Sequence, residues 1–431
     1  MTTRKFIIVL ILSIITISIF RCKAPEIILH GGISGIVTDA ISNQPVQAAS
    51  VKLSNTNDTT STGSDGTFLL RNVEPNRYEI QSSKLGYGVS KKNVTVTSAE
   101  TNEIDFTLSG IPVPVYSSTC IDFGLDSTIR SFTISNLGKG TFSYFITKSQ
   151  NWITVSPSSG EITNESDKIR VSINKTGLSD NIYNGIIEVT STGPGVLIKD
   201  TLHVNLNGVA DRDCNYYKVV KIGTQTWMAE NLNLGIVIDI HQLQANNGYI
   251  EKWCYNCKIY GGLYNWNEAM NYSPSDTGNI GKTQGICPVG WHIPTDKEVI
   301  TLSDYLAGPG EEQITGGMLK ATGTSLWQYP NLGATNVSGF TALPGGAVYL
   351  GRSSTGSFNS NENPDYNYLD GIGTSANFWT SKFFPQLNLN PSDPQPRDSG
   401  GTFGVDLSTT LYILGTGPVI MGNSVRCVKN P

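Results

Sequence analysis

The stretch CPVGWHIPTDKEV, Cys287 to Val299, sets a thiol in a Pro/Gly turn directly ahead of a helix start. Far downstream, SVRCVKNP places Cys427 on what reads as the last strand. The two thiols bracket one compact C-terminal domain. Beyond Cys22, six cysteines stand in the chain, Cys120, Cys214, Cys254, Cys257, Cys287 and Cys427, and fifteen pairings are open to six thiols. Whether they pair at all depends on the compartment.

The start of the chain decides that. Arg4 and Lys5 precede an apolar and hydroxyl run from Phe6 to Phe20, the charged and hydrophobic regions of an export signal. The run is short for a membrane-spanning helix. Cys22 follows, and the junction resembles a bacterial lipobox, where cleavage ahead of a Cys leaves that residue carrying lipid. Phe20 and Arg21 stand where the motif has small residues, so an uncleaved anchor and ordinary cleavage are the alternatives. The expectation is a signal peptide over residues 1–21, a lipid-anchor linker over 22–31, and a location at the outer membrane or cell surface. Disulfides persist in such an oxidising environment.

Charged residues make up 15% of the chain, against roughly 25% in ordinary soluble domains, and turn-formers fill the space they leave. The net charge of −5 is spread without a basic stripe, which removes the attraction that nucleic-acid binding depends on. A chain of 431 residues accommodates about two to four domains.

Ile33, Gly35 and Val37, then Ala49, Val51 and Leu53, Phe68 and Leu70, Tyr78 and Ile80, and Ile104, Phe106 and Leu108 alternate as half-buried strands do. Asn43 to Pro45, Asp65-Gly66 and Pro75-Asn76 supply the turns between them. The ordered phrases GIVTDAISNQPVQAASVKL, TGSDGTFLLRNVEPNRYEI and LGYG resemble the carboxypeptidase regulatory-like domain. That resemblance implies a prealbumin-like β-sandwich over 32–109, acting as a spacer without catalytic residues. Asp39 and Asp65 read as turn caps in preference to metal ligands.

A second alternating block follows over 110–209, with Phe132 and Ile134, Phe142, Tyr144 and Ile146, Ile169, Val171 and Ile173, and Leu202, Val204 and Leu206. IDFGLDSTIRSFTISNLGKG, WITVSPSSGEI and IYNGIIEVTST resemble the BACON domain, which implies an immunoglobulin-like sandwich. Trp152 is expected as a buried anchor across its two sheets, in preference to a sugar-stacking role.

The last module, 211–431, mixes helix and strand. Thr295 with Glu298 forms a capping box, and Val299, Ile300, Leu302, Tyr305 and Leu306 predict an apolar helix face over about 296–307. Another helix is expected from Asn265 to Asn271. Trp227, Trp253, Trp266, Trp291, Trp327 and Trp379 read as core. The phrases YYKVVKIGTQTWMAENLN, CYNCKIYGGLYNWNEAM, CPVGWHIPTDKEVITL, SGFTALPGG, FWTSKFF and GNSVRCVKNP resemble the major paralogous domain of Fibrobacter, FISUMP. That family is similar in turn to C-type-lectin-like folds and to the formylglycine-generating enzyme. The implied fold class is thus two N-terminal all-β sandwiches followed by an α+β, C-type-lectin-like domain.

The resemblance implies a Cys287–Cys427 disulfide, worth roughly 4 to 5 kcal/mol in the chain-constraint account. Cys254-x-x-Cys257 fits a local disulfide, a redox pair or half a zinc site. Zinc wants four ligands and a thioredoxin-type pair wants a βαβ setting, and neither accompanies it. Cys120 and Cys214 have no assigned partner. Of the four histidines only His241 and His292 fall in this module, and His292 reads as structural. A thiol-dependent enzyme is the minor alternative, resting on Cys254 and Cys257.

Between SGFTALPGG and FWTSKFF lies a polar, aromatic loop where C-type-lectin-like folds place their ligand. Asn361, Glu362, Asn363, Asp365, Tyr366, Tyr368 and Asp370 crowd there, oxygen donors suited to Ca²⁺ and rings suited to sugars. The order ENP departs from the lectin EPN, and a solvated loop held by Asx turns is the plain alternative. The expected function is a lipid-anchored, non-enzymatic binding or adhesion protein without an obligate cofactor. Its partner is a glycan or another envelope component, and a structural stalk without a small ligand is the rival.

Overall fold

The computed structural model describes residues 29–179, 182–273, 283–349, 368–385, 398–410 and 412–431. The export signal and Cys22 lie outside them. The chain is mostly β-sheet and divides into two compact units, Met1–Val113 with Leu137–Gly140, and Pro114–Asn136 with Thr141–Pro431.

In the first unit the strand Gly31–Asp39 pairs antiparallel with Thr67–Val73. Its other edge runs parallel to Thr101–Glu103 and then to Phe106–Leu108. The facing sheet runs Thr59–Ser61, Ser50–Leu53, Arg77–Ser83, Ser90–Thr95. Ile33, Val37, Val51, Leu53, Phe68, Ile80 and Phe106 close the core between them. Gly35 is required where it stands, because a Cβ there would meet the Ile104 carbonyl oxygen at 1.9 Å. Asp39 caps a turn: Oδ1 accepts the N–H groups of Ile41 and Ser42, both at 2.9 Å, and Oδ2 accepts the Tyr87 hydroxyl at 3.0 Å. Those donors hold its carboxyl down to about 2. Asp65 caps likewise, accepting from the Thr67 backbone and hydroxyl.

The second sandwich opens the other unit. One sheet runs Cys120–Asp122, Val196–Leu206, Tyr183–Gly193, Phe142–Lys148, Ser159–Ile162, and the facing sheet Ile153–Ser156, Ser166–Ile173, Ile129–Asn136, Pro114–Tyr116. The alternating residues read from the sequence fill the space between. Trp152 departs from expectation: it is only half-buried, at the core edge, with its ring 6.3 Å from Tyr183 in an edge-on arrangement.

The C-terminal module is built on a five-stranded sheet, Tyr368–Ile372, Gly345–Tyr349, Ser375–Phe384, Ser399–Asp406, Tyr412–Pro418. A smaller sheet runs Val219–Ile222, Gln225–Met228, Val428–Lys429, Trp291–His292. All six tryptophans are buried, and five donate their indole N–H to a protein oxygen. Gly400 lies flat beneath Trp266, where a Cβ would stand 2.1 Å from the ring.

The helix Asp296–Ala307 starts at the predicted capping box. Val299 and Leu302 are buried, but Ile300 and Tyr305 face outward, because the helix touches the core along a narrow stripe and the Tyr305 ring covers the turn at Gly223. A further helix, Glu312–Leu319, carries a Gly-Gly pair that argues against helix in sequence. Packing explains Gly317, since a Cβ there would stand 2.4 Å from the Gly333 carbonyl oxygen. The helix expected at Asn265 to Asn271 is a single turn, Trp266–Ala269, capped by Asn265.

Three disulfides join Cys287 to Cys427, Cys254 to Cys257 and Cys120 to Cys214. The protein is therefore of the exported kind. Among the described residues no helix is long and apolar enough to cross a membrane.

His292 is buried, with Nδ1 2.7 Å from Asn430 Oδ1 and Nε2 2.9 Å from Glu298 Oε1. Glu298 Oε2 accepts the backbone and hydroxyl of Thr295, both at 2.9 Å. Burial works against the Glu298 charge, yet the bonds from His292 and Thr295 outweigh it and hold the carboxyl below its ordinary 4.5. A depressed carboxyl contributes stability that is present above the ordinary value and lost as pH falls through the depressed one. Glu298→Gln should destabilise the C-terminal module by about 1 to 2 kcal/mol at pH 7. In thermal melts the gap from wild type should close as the pH drops below 4.5. A gap that stays constant with pH would refute a charge-dependent clamp.

Candidate binding site

Strands Gly345–Tyr349 and Tyr368–Ile372 pair antiparallel and flank the loop picked out in the sequence. Asn361, Glu362, Asn363, Asp365 and Tyr366 lie outside the described residues. Tyr368 and Asp370 lie on the second strand. Tyr368 sits directly opposite Tyr349, with ring centroids 5.5 Å apart and planes 19° from parallel. Both are half-buried. Asp370 is exposed and accepts the N–H of Gly371 at 2.7 Å. A stacked aromatic pair with one outward carboxylate therefore marks the base of this loop.

The cysteine pair and the histidine weighed for catalysis in the sequence are both engaged by the fold. Cys254 and Cys257 form a disulfide at the start of the short helix Cys257–Tyr260. His292 is locked between Asn430 and Glu298. Among the described residues no group of three or more His, Cys, Asp or Glu side chains is placed to hold a metal.

A feature not read from the sequence lies where the second sandwich meets the C-terminal module. The junction is a hairpin instead of a linker, with Val209–Ala210 antiparallel to Tyr216–Tyr217. Buried Asp211 organises its turn: Oδ1 accepts the N–H groups of Asp213 and Asn215, and Oδ2 the Asn215 amide and, at 2.6 Å, the Tyr217 hydroxyl. Burial and the Asp211 charge push the Tyr217 hydroxyl well above its ordinary value. The Cys120–Cys214 disulfide, with Cα atoms 5.6 Å apart, joins the sandwich to this turn. Lys429 adds an ion pair to Asp126 at 3.3 Å.

Beside these ties opens a cleft of about 490 Å³. Asp122 and Arg130 line its sandwich side, and Arg212, Leu234, Ile250 and Val289 the other. Behind Ile250 and Asn271, Glu268 is fully buried and accepts the Glu251 N–H at 2.9 Å and the Tyr272 hydroxyl at 2.8 Å. Burial raises its carboxyl above the ordinary range. The signal for the cleft was the pair of unassigned cysteines, one in each module.

Residues 32–109 match the carboxypeptidase regulatory-like domain, residues 116–198 the viral BACON domain, and residues 220–429 the Fibrobacter succinogenes major domain. No curated protein matches the chain. Among solved structures, a type II cohesin–X-dockerin complex from Acetivibrio cellulolyticus shares 19% identity over 19% of this chain, which spans 58% of that chain, at a TM-score of 0.17. A Bacteroides uniformis protein described as a candidate carbohydrate binding protein shares 13% identity over 41% of this chain and 98% of its own, at 0.19. The E. coli chaperone DraB shares 11% over 28% and 72%, at 0.22. Scores this low carry no functional argument. The chain is a three-module protein in which a carboxypeptidase regulatory-like domain, a BACON domain and a Fibrobacter succinogenes major domain follow one another in that order.

Proposed function

We propose that the protein is a lipid-anchored, non-enzymatic binding protein of the cell envelope. In this reading the sandwiches over 32–109 and 110–209 carry a C-type-lectin-like head, 211–431, which binds a glycan or another envelope component. The observation that carries it is the fate of the reactive side chains: Cys254 and Cys257 are joined and His292 is clamped on both ring nitrogens. What is left for function is surface. The Tyr349–Tyr368 stack and outward Asp370 support the loop between them as the ligand surface, with Ca²⁺ as a candidate aid.

Anchoring is tested by fatty-acid labelling, which should mark wild type and fail with Cys22→Ala; equal labelling of both would contradict it. Binding is tested on a glycan array with the exported chain, with and without calcium. The Glu362→Ala, Asp365→Ala double variant should lose binding while its stability moves by less than about 0.5 kcal/mol, as for solvated loop positions. Undiminished binding would place the site elsewhere. A large loss of stability would make these carboxylates structural.

A further inference from the structure

We infer that the cleft between the second sandwich and the C-terminal module is a separate binding site for a small organic carboxylate. Its volume of about 490 Å³ lies within the range of small-molecule sites, roughly 300 to 1,000 Å³, which favour module junctions. The charges at its rim are unequally engaged. Asp122 Oδ1 accepts the Gly124 N–H at 3.0 Å and the Asn205 amide at 2.8 Å, while Oδ2 accepts the Ala210 N–H at 3.0 Å. Asp211 is filled by the four donors of its turn. The oxygens of both carboxylates, though still charged, are thus taken up by neutral donors of the fold.

The guanidinium groups are not. Arg130 donates only to neutral acceptors, from Nε to the Asp122 carbonyl at 2.8 Å and from Nη1 to the Ser127 hydroxyl and the Ile129 carbonyl. These bonds position it without neutralising it. Arg212 is exposed and makes no hydrogen bond among the described residues, though its charge acts on the buried Glu268. The nearby Glu268 carboxylate is buried, with both oxygens engaged. Two guanidiniums line one cleft with the outward Val289 and the edges of the buried Leu234 and Ile250, so an anion with a small apolar or ring-shaped body fits both kinds of surface. The Cys120–Cys214 disulfide holds the two walls in register before any ligand arrives, which lowers the ordering cost of binding.

The inference rests on the cleft and not on the loop reading, and calorimetric titration of the full exported chain separates them. The probes are digalacturonate, its uncharged dimethyl ester, and inorganic phosphate as an anion without a body. Digalacturonate should bind saturably, and the ester and phosphate at least tenfold more weakly. Arg212→Gln should weaken digalacturonate at least tenfold without shifting the melting temperature. Arg130→Gln should do the same, with melting followed alongside because its side chain braces the Asp122 carbonyl. The Glu362→Ala, Asp365→Ala variant should bind as wild type. Absence of saturable binding, equal binding of acid and ester, wild-type affinity in folded Arg212→Gln, or loss of binding in the loop variant would each overturn the proposal.

Discussion

Arg426 is fully buried, and among the described residues no carboxylate pairs with it. Its guanidinium donates to Asn231 Oδ1 at 2.6 Å, to the carbonyls of Met228 at 3.2 Å and Thr341 at 2.9 Å, and to the Phe340 carbonyl. It lies 4.5 Å from the Phe340 ring and 5.5 Å from that of Phe378. Burial pulls it down to about 9, so it is charged at neutral pH. A desolvated cation is tolerable only if fixed dipoles surround it. Here the dipoles come from two separate segments, at Met228 and Asn231 and at Phe340 and Thr341, and satisfying one side chain locks both to the C-terminal segment that carries it. Its neighbours extend the effect: Cys427 ties the segment to Cys287, Val428 lies between Trp227 and His292, and Asn423 and Ser424 bridge to Tyr264 and Phe378. The C-terminal residues are therefore the central clamp of their module.

Much of this was legible in advance where local chemistry and packing agree. Strand alternation in both sandwiches tracks the core because a two-residue period and a single buried face leave little choice. Thr295 and Glu298 announced a helix start because a capping box acts within one turn. Glu312–Leu319 was hidden because its glycines answer to a distant carbonyl. Ile300 and Tyr305 were read as core because an apolar residue does not disclose what faces it. Trp152 was placed too deep for the same reason.

The candidate sites divide along the same line. Asp370 and Tyr368 could be named because a polar, aromatic segment between strands is a local signal. The cleft could not, since Arg130 and Arg212 are distant in sequence and line one cavity only through the hairpin at Asp211 and the Cys120–Cys214 bond. Among the described residues, disulfides hold six cysteines, hydrogen bonds clamp His292 and fix the buried Arg426, and capped turns engage Asp39 and Asp211.

Native-state hydrogen exchange tests the clamp most directly. The Asn423 and Ser424 amides donate to Tyr264 and Asn377, and those of Met228, Leu232 and Trp379 donate to carbonyls of the C-terminal segment. The account predicts that these five exchange only through global opening of the unit formed by Pro114–Asn136 and Thr141–Pro431, with the highest protection in it. Exchange of Asn423 and Ser424 as fast as that of exposed loop amides, with the rest of the module still protected, would contradict it.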